Sequence, residues 1–336
     1  MLSKLEKGGF PSDGINLALC ENPLPPLDEA INAAKKELRF CNHYTEPHSW
    51  KLLEKISNYV NLPIKNIHIN AGSELILRQI FSMYGKKVHL ITPTYYLFEE
   101  ISKNKSYTKL QEKNKFIFDM KDLEIPDDTT LAVIINPNNP TGGLFEIKDN
   151  VDLVRDHPNT IFLIDEAFIE FGGKPTSDLV LEYENVVVTR TFSKAFSLAG
   201  LRTGYALANE DIIINLNEQN DAYPLGRTAE AAAIASLDNV DKIQQRVKTL
   251  KSLAKNLSEE LEKLGIITYP SETYFFLIRV PEITADNFVR QLSSRNIHAR
   301  AITLEGLENN YVRFTTSTPQ GNETVLSAVE DILSNY

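Results

Sequence analysis

The string Thr191-Phe192-Ser193-Lys194-Ala195-Phe196, completed by Arg202, follows the apolar run Val186-Val187-Val188. A lysine at the mouth of a buried strand can present an amine to a carbonyl and form a Schiff base. The hydroxyls of Thr191 and Ser193 and the guanidinium of Arg202 suit a phosphate. Together they fit a carbonyl cofactor that also carries a phosphate. A lone lysine would be read as a surface residue, but further motifs complete the same site.

Asp165 ends the apolar strand Ile161-Phe162-Leu163-Ile164 and is followed by Glu166-Ala167-Phe168. A carboxylate there is costly unless it meets a cation. A pyridinium nitrogen is one such cation; a nearby Arg or Lys is the plainer alternative. Ala167 leaves room beneath a ring. Asp165 and Lys194 lie one strand apart, and neighbouring strands are about 5 Å apart. The two can therefore address opposite ends of one ring. Gly72, Ser73 and Glu74 sit where a strand turns into a helix. Gly72 allows close backbone approach, and the helix N-terminus offers N–H groups and a favourable dipole to a phosphate. An ordinary strand-to-helix turn would look the same. Tyr95, in Thr92-Pro93-Thr94-Tyr95, can stack on a flat ring or simply fill a core. Asn139, in Asn136-Pro137-Asn138-Asn139-Pro140-Thr141-Gly142, can donate to a phenolic oxygen or merely form a turn.

These residues need a frame. Apolar runs at Ile67–Asn70, Val88–Ile91, Leu131–Asn136, Ile161–Asp165, Val186–Arg190 and Gly204–Leu207 alternate with helical patterns at Leu52–Val60, Glu74–Tyr84 and Tyr96–Lys103. The pattern predicts an α/β fold with a mostly parallel sheet covered by helices on both faces. Ligands gather beyond the carboxyl ends of such strands. A long amphipathic helix through Ile243, Val247, Leu250, Leu257 and Leu264, stopped by Gly265, leads to a smaller α+β domain. That domain is expected to hold strands Thr273–Val280 and Tyr311–Thr315 and helices near Ala285–Arg295 and Asn322–Asn335. The expected division is 45–240 for the large domain and 1–44 with 241–336 for the small one. Gly14–Arg39 is expected to pack with the latter.

The chain has 336 residues, 42% of them hydrophobic and 24% charged, with a net charge of −10. That balance and the lack of a basic stripe argue against nucleic acid. The basic run Lys103, Lys105, Lys109, Lys113, Lys115 is read as a solvated connection. Two cysteines, Cys20 and Cys41, make no disulfide framework or metal spacing. Met1–Gly9 lacks a signal peptide's apolar stretch, and no apolar run is long enough for a membrane span. The expected location is the cytoplasm. The six histidines show no metal-ligand spacing. His43 and His48, near Tyr44, are read as structural or surface residues.

With these motifs in hand, the chain resembles fold-type I enzymes dependent on pyridoxal 5′-phosphate, whose large domain carries a seven-stranded-type sheet. More narrowly it resembles histidinol-phosphate aminotransferases, from Glu21-Asn22-Pro23-Leu24 to Arg313. The resemblance implies that Lys194 binds the cofactor through a Schiff base and shuttles a proton, while Asp165 keeps the ring nitrogen protonated. It implies that Asn139 bonds the 3′ oxygen, Tyr95 stacks on the ring, and Gly72, Ser73, Glu74, Thr191, Ser193 and Arg202 hold the phosphate. Tyr44, in Asn42-His43-Tyr44-Thr45-Glu46-Pro47, matches a tyrosine that reaches that phosphate from a neighbouring subunit, so a homodimer is implied. Arg313 and Arg300 match basic residues that hold a substrate carboxylate and a phosphorylated substrate, and Asn22 belongs to the substrate side. The implied reaction is ping-pong transamination between glutamate/2-oxoglutarate and a phosphorylated amine or ketone. Two positions depart from the family. Phe168 replaces a tyrosine, as in the related phosphothreonine decarboxylases, and Cys20 stands where relatives tend to have asparagine. Decarboxylation of a phosphorylated amino acid is the alternative reaction. Effector-sensing regulators also carry this fold, but a DNA-binding segment is not expected before the first sheet motif.

Overall fold

The computed structural model describes residues 14–303 and 309–336. The segment Met1–Gly9, read above for a targeting signal, lies outside them. No helix among the described residues is long and apolar enough to cross a membrane.

The chain forms two compact units. One takes the described residues up to Leu24, with Pro140–Gly142 and Lys248–Tyr336; the other takes Pro25–Asn139 and Gly143–Val247. The boundaries expected at 44/45 and 240/241 fall instead at Leu24/Pro25 and Val247/Lys248. The reason is the helix Asp28–Glu37, which packs along Arg227–Leu237 in the larger unit. Arg227 Nε donates to Glu37 Oε2 at 2.7 Å and fixes one end of the pair. The segment Gly14–Arg39 therefore divides between the units rather than joining the smaller one.

A two-residue strand, β1 (Ile15–Asn16), opens the described chain. The larger unit then builds a seven-stranded sheet from β2 (Ile67–Asn70), β3 (Val88–Thr92), β4 (Lys105–Lys109), β5 (Leu131–Ile135), β6 (Ile161–Asp165), β7 (Val186–Thr191) and β8 (Gly204–Ala208). Their order is β2-β8-β7-β6-β5-β3-β4. Strand β8 runs antiparallel to both its neighbours; the other pairs are parallel. Strands β5 and β7 are buried along their whole length, which is why they read as unbroken apolar runs. Helices Ser73–Tyr84 and Glu210–Glu218 press Ile76, Ile80, Ile213 and Leu216 against Leu131, Val133, Leu163 and Val187.

The basic run divides: Lys103, Lys113 and Lys115 are exposed outside any strand. Lys105–Lys109 is not a solvated connection but the edge strand β4, paired to β3 on one side only. Lysines on an exposed edge discourage pairing with another chain. The helix expected to reach Lys103 stops at Ile101, because Ser102 turns extended (ψ 114) to start that strand.

In the smaller unit, β9 (Ile267–Thr268), β10 (Phe275–Arg279), β12 (Arg300–Ile302) and β13 (Tyr311–Thr315) form an antiparallel sheet in the order β12-β13-β10-β9, while β11 (Ile297–His298) pairs with β1. Phe276, Phe288, Phe314, Val325 and Val329 form its core with Leu257 and Leu261 of the long helix Val240–Lys263. Helix Pro319–Leu333 begins earlier than expected: Thr318 Oγ1 accepts from Gly321 N at 3.2 Å, and Pro319 suits the first helical position.

Candidate active site

The ends of β2, β6, β7 and β8 in the larger unit gather the expected residues. Gly72 follows β2 with φ 91, a conformation glycine adopts without strain. A Cβ on Gly72 would lie 2.7 Å from Arg202 Nη2, and one on Gly204 would lie 2.2 Å from Ser73 N. Guanidinium, helix N-terminus and the start of β8 thus close on one another through two glycines. Ala71 N is taken by Asn70 Oδ1 (2.8 Å) and Gly72 N by Asn70 O (2.7 Å). The N–H groups of Ser73 and Glu74 open the helix and have no intrahelical acceptor. The Glu74 carboxylate turns to Arg78 (2.8 Å). Across from this end, Thr191 Oγ1 donates to Ser193 Oγ at 2.9 Å and accepts from Ser193 N at 3.1 Å. Arg202 holds left-handed backbone (φ 52), uncommon for a long side chain, and so stays beside Gly72. Hydroxyls, helix N–H groups and a guanidinium placed together in this way could seat an anion.

Asp165 ends β6 opposite Thr189 of β7. Its Oδ1 accepts from Thr189 Oγ1 and Ala167 N, each at 3.2 Å. Its Oδ2 has no hydrogen bond to any described residue. Burial pushes this carboxyl up to about 6, against the opposing pull of the Thr189 hydroxyl, the Ala167 N–H and the Lys194 charge. Lys194 follows β7, with its Nζ 5.5 Å from the centre of the buried Phe168 ring. Phe168 offers a π face there and no hydroxyl.

Tyr95 packs edge-on against Tyr96 and Phe98, with centroids 4.8 and 5.7 Å away. Burial raises its hydroxyl well above the usual range, and Tyr96, Glu74 and Asp165 add to the effect. Asn136 and Asn138 brace the turn after β5, bonding Phe145 through both carboxamide atoms and Pro93 O through Asn138 Nδ2. Asn139 lies buried in that turn. Tyr44 is 78% exposed, stacked on Tyr223 at 4.5 Å, while Arg227 Nη1 holds its carbonyl at 2.8 Å. Arg227 is thus committed to Glu37 and Tyr44.

In the smaller unit, Arg300 and Arg313 are direct cross-strand partners on β12 and β13. Like charges placed so repel one another. Arg313 Nη2 donates to Ala18 O, and its guanidinium lies 5.7 Å from the Phe275 ring. Tyr274 Oη donates to Cys20 O, and Thr315 Oγ1 to Leu17 O. These bonds lace Leu17–Cys20 to the sheet. Cys20 sits at φ 50, the left-handed region in which asparagine is several-fold enriched. Asn22 Oδ1 accepts from Leu24 N at 3.0 Å.

The larger unit's residues fit pyridoxal phosphate. An anion seat, an amine and an unbonded carboxylate oxygen lie at neighbouring strand ends, and both cradle positions that a Cβ would fill are glycine. Thr189 and the Ala167 N–H, which orient Asp165, escaped sequence reading, because a threonine in a strand looks like a strand former.

A family model described as aminotransferase class I and II matches residues 12–329. Histidinol-phosphate aminotransferase of Thermoanaerobacter sp. (strain X514) is 32% identical over 326 residues, covering 93% of this chain and 91% of that protein. The crystal structure of histidinol-phosphate aminotransferase from Clostridium acetobutylicum is similar with a TM-score of 0.88 at 25% identity, over 96% of this chain and all of that one (100%). L-threonine-O-3-phosphate decarboxylase from Porphyromonas gingivalis is similar with a TM-score of 0.85 over 95% of this chain and 99% of that one. At 22% identity that likeness shows the fold alone.

Proposed function

The chain belongs to the class I and II aminotransferases, and from that membership we propose that this pyridoxal-phosphate-dependent transaminase exchanges the amino group of histidinol phosphate with 2-oxoglutarate. The observation that carries the reading is the Asp165 carboxylate: buried, oriented on Oδ1, and bare on Oδ2 one strand from Lys194.

Pyridoxal phosphate supplies an electron-poor pyridine ring that takes up the electrons left when the substrate Cα proton departs. Asp165 Oδ2 would hold a proton on the ring nitrogen. Thr189 and the Ala167 N–H keep that carboxylate from turning. Lys194 Nζ would hold the cofactor through its carbonyl and, as a free amine, could move a proton at the substrate Cα. Ser73 and Glu74 N–H, Thr191, Ser193 and Arg202 anchor the phosphate, with Gly72 admitting the guanidinium. Tyr95 would pack on the ring, Asn139 would donate to its phenolic oxygen, and Phe168 would contribute only apolar surface. Arg313 and Arg300 hold the anionic groups of the substrate, the paired guanidiniums suiting a phosphate or carboxylate better than a neutral group. Asn22 completes the substrate side.

A second copy of the chain is the partner. Tyr44 is held out by Tyr223 and Arg227, and Leu38, Phe40 and Trp50 in the same stretch are exposed. Apolar surface of this kind favours a homodimer in which Tyr44 reaches the neighbour's cofactor phosphate. The cytoplasm suits a chain whose two cysteines form no disulfide.

The test mixes cofactor-loaded protein with histidinol phosphate and 2-oxoglutarate and measures glutamate. Glutamate formed in ping-pong kinetics supports the reading. Carbon dioxide released from O-phosphothreonine, with no glutamate from histidinol phosphate, would replace it with decarboxylation.

A further inference from the structure

Beneath the catalytic strand ends, a second group of ionisable side chains takes no part in the chemistry above. Successive residues of a strand face opposite ways, so Arg190, between Thr189 and Thr191, points to the other side of β7. There its Nε and Nη2 reach Glu166 Oε2 at 2.8 and 2.7 Å. Glu166 Oε1 accepts Thr176 N and Thr176 Oγ1, both at 2.7 Å. Glu166 is therefore saturated, and it ties Thr176 back to β7. This closes the excursion that carries Ala167 and Phe168, the residues against Asp165 and Lys194.

Glu170 lies on the same excursion. Its Oε1 meets the Tyr59 hydroxyl at a long 3.4 Å, and its Oε2 is shut off from solvent with no partner among the described residues. The groups that act on it are Tyr59 from helix Trp50–Val60, Arg190 from β7, Tyr205 from β8 and Glu166 from its own turn. The Tyr205 hydroxyl is likewise shut off from solvent, beside Arg190. Arg190 brings one positive charge, and Glu166 already has it. A second carboxylate whose oxygen is shut off from solvent and must share that one cation is unfavourable.

We propose that Glu170 is a proton-bearing positioning residue: in its protonated form it leaves Arg190 to Glu166 and so keeps the Ala167–Phe168 turn closed. Burial, with the Glu166 charge adding and Arg190 opposing, pushes its carboxyl up to about 7. The folded state thus holds this proton more tightly than the unfolded chain. Its stabilising effect is complete below the ordinary value of 4.5 and is lost as pH rises towards about 7. Once ionised, Glu170 competes with Glu166 for Arg190 and loosens the turn.

Glu170→Gln mimics the neutral acid at every pH. In cofactor-free protein, its melting temperature should gain on the parent by about 2 °C or more between about pH 5 and about pH 8. A constant difference across that range overturns the proposal. The role in the turn rests on the proposed cofactor site and is read from the pyridoxal phosphate dissociation constant. From about pH 6 to about pH 8 the parent should weaken at least about threefold more than Glu170→Gln; equal pH dependence refutes the positioning role. A chain that bound no pyridoxal phosphate would sink the functional reading and leave the melting test intact. Should Glu170→Gln fail to fold, infrared spectra of the parent holoenzyme decide. A protonated-acid carbonyl band that fades between about pH 6 and about pH 8 supports the assignment, and its absence refutes it.

Discussion

Asp165→Asn separates what the carboxylate does for the fold from what it does for the cofactor. Asparagine keeps the shape, and its Oδ1 can still accept from Thr189 and the Ala167 N–H. Only the buried charge goes. In cofactor-free protein that charge is a burden: its rise from the ordinary 3.8 to about 6 corresponds to about 3 kcal/mol of destabilisation once both folded and unfolded forms are ionised. The sign follows from the raised folded value. The parent's penalty is absent below about pH 4, grows as pH climbs to about 6, and is constant above. Urea unfolding of the cofactor-free proteins at about pH 8 should show Asp165→Asn more stable by up to about 3 kcal/mol, and the advantage should vanish near about pH 4. Pyridoxal phosphate should respond the other way. Losing a charge-assisted hydrogen bond of about 1.5–3 kcal/mol weakens cofactor binding about 10- to 100-fold. An Asp165→Asn chain no more stable than its parent at about pH 8 would refute the picture of a carboxylate held ready for a cation.

Gly204→Ala places a Cβ 2.2 Å from Ser73 N, so the helix N-terminus must move; pyridoxal phosphate affinity should fall at least about tenfold while affinity for phosphate-free pyridoxal holds, and equal losses for both would contradict the phosphate seat. Phe168→Tyr restores a hydroxyl beside Lys194, so the absorbance titration of the bound cofactor should move to lower pH; an unchanged or higher midpoint counts against that placement. Gly142→Ala sets a Cβ 2.0 Å from Ser271 Oγ at φ 77 and should cost at least about 1–2 kcal/mol in thermal unfolding; an unchanged midpoint would show the turn is not so tightly held.

The cofactor strands were readable because strands buried on both faces leave unbroken apolar runs, and polar residues at their ends stand out against them. Asp165 and Lys194 on neighbouring strands β6 and β7 are the clearest case. Strand β4 was not readable, because an edge strand faces water and its lysines resemble a loop. Helix Arg227–Leu237 lacks a strong apolar stripe, being alanine-rich and packed against Asp28–Glu37. That pairing also moved the unit boundary, and no local pattern in Asp28–Glu37 says which unit it joins. Local signals mark two helix starts: Asn209, whose Oδ1 accepts from Asp211 N at the start of Glu210–Glu218, and Thr318-Pro319. Thr189 and the Ala167 amide could be assigned to Asp165 only with coordinates, since their role comes from strand register.

Borohydride reduction of pyridoxal phosphate-treated protein, followed by peptide mass spectrometry, addresses the amine directly. A pyridoxyl group on the peptide containing Lys194, lost in Lys194→Ala while the anion seat still binds inorganic phosphate, is the predicted result. Labelling of other lysines with Lys194 unmodified would contradict the account.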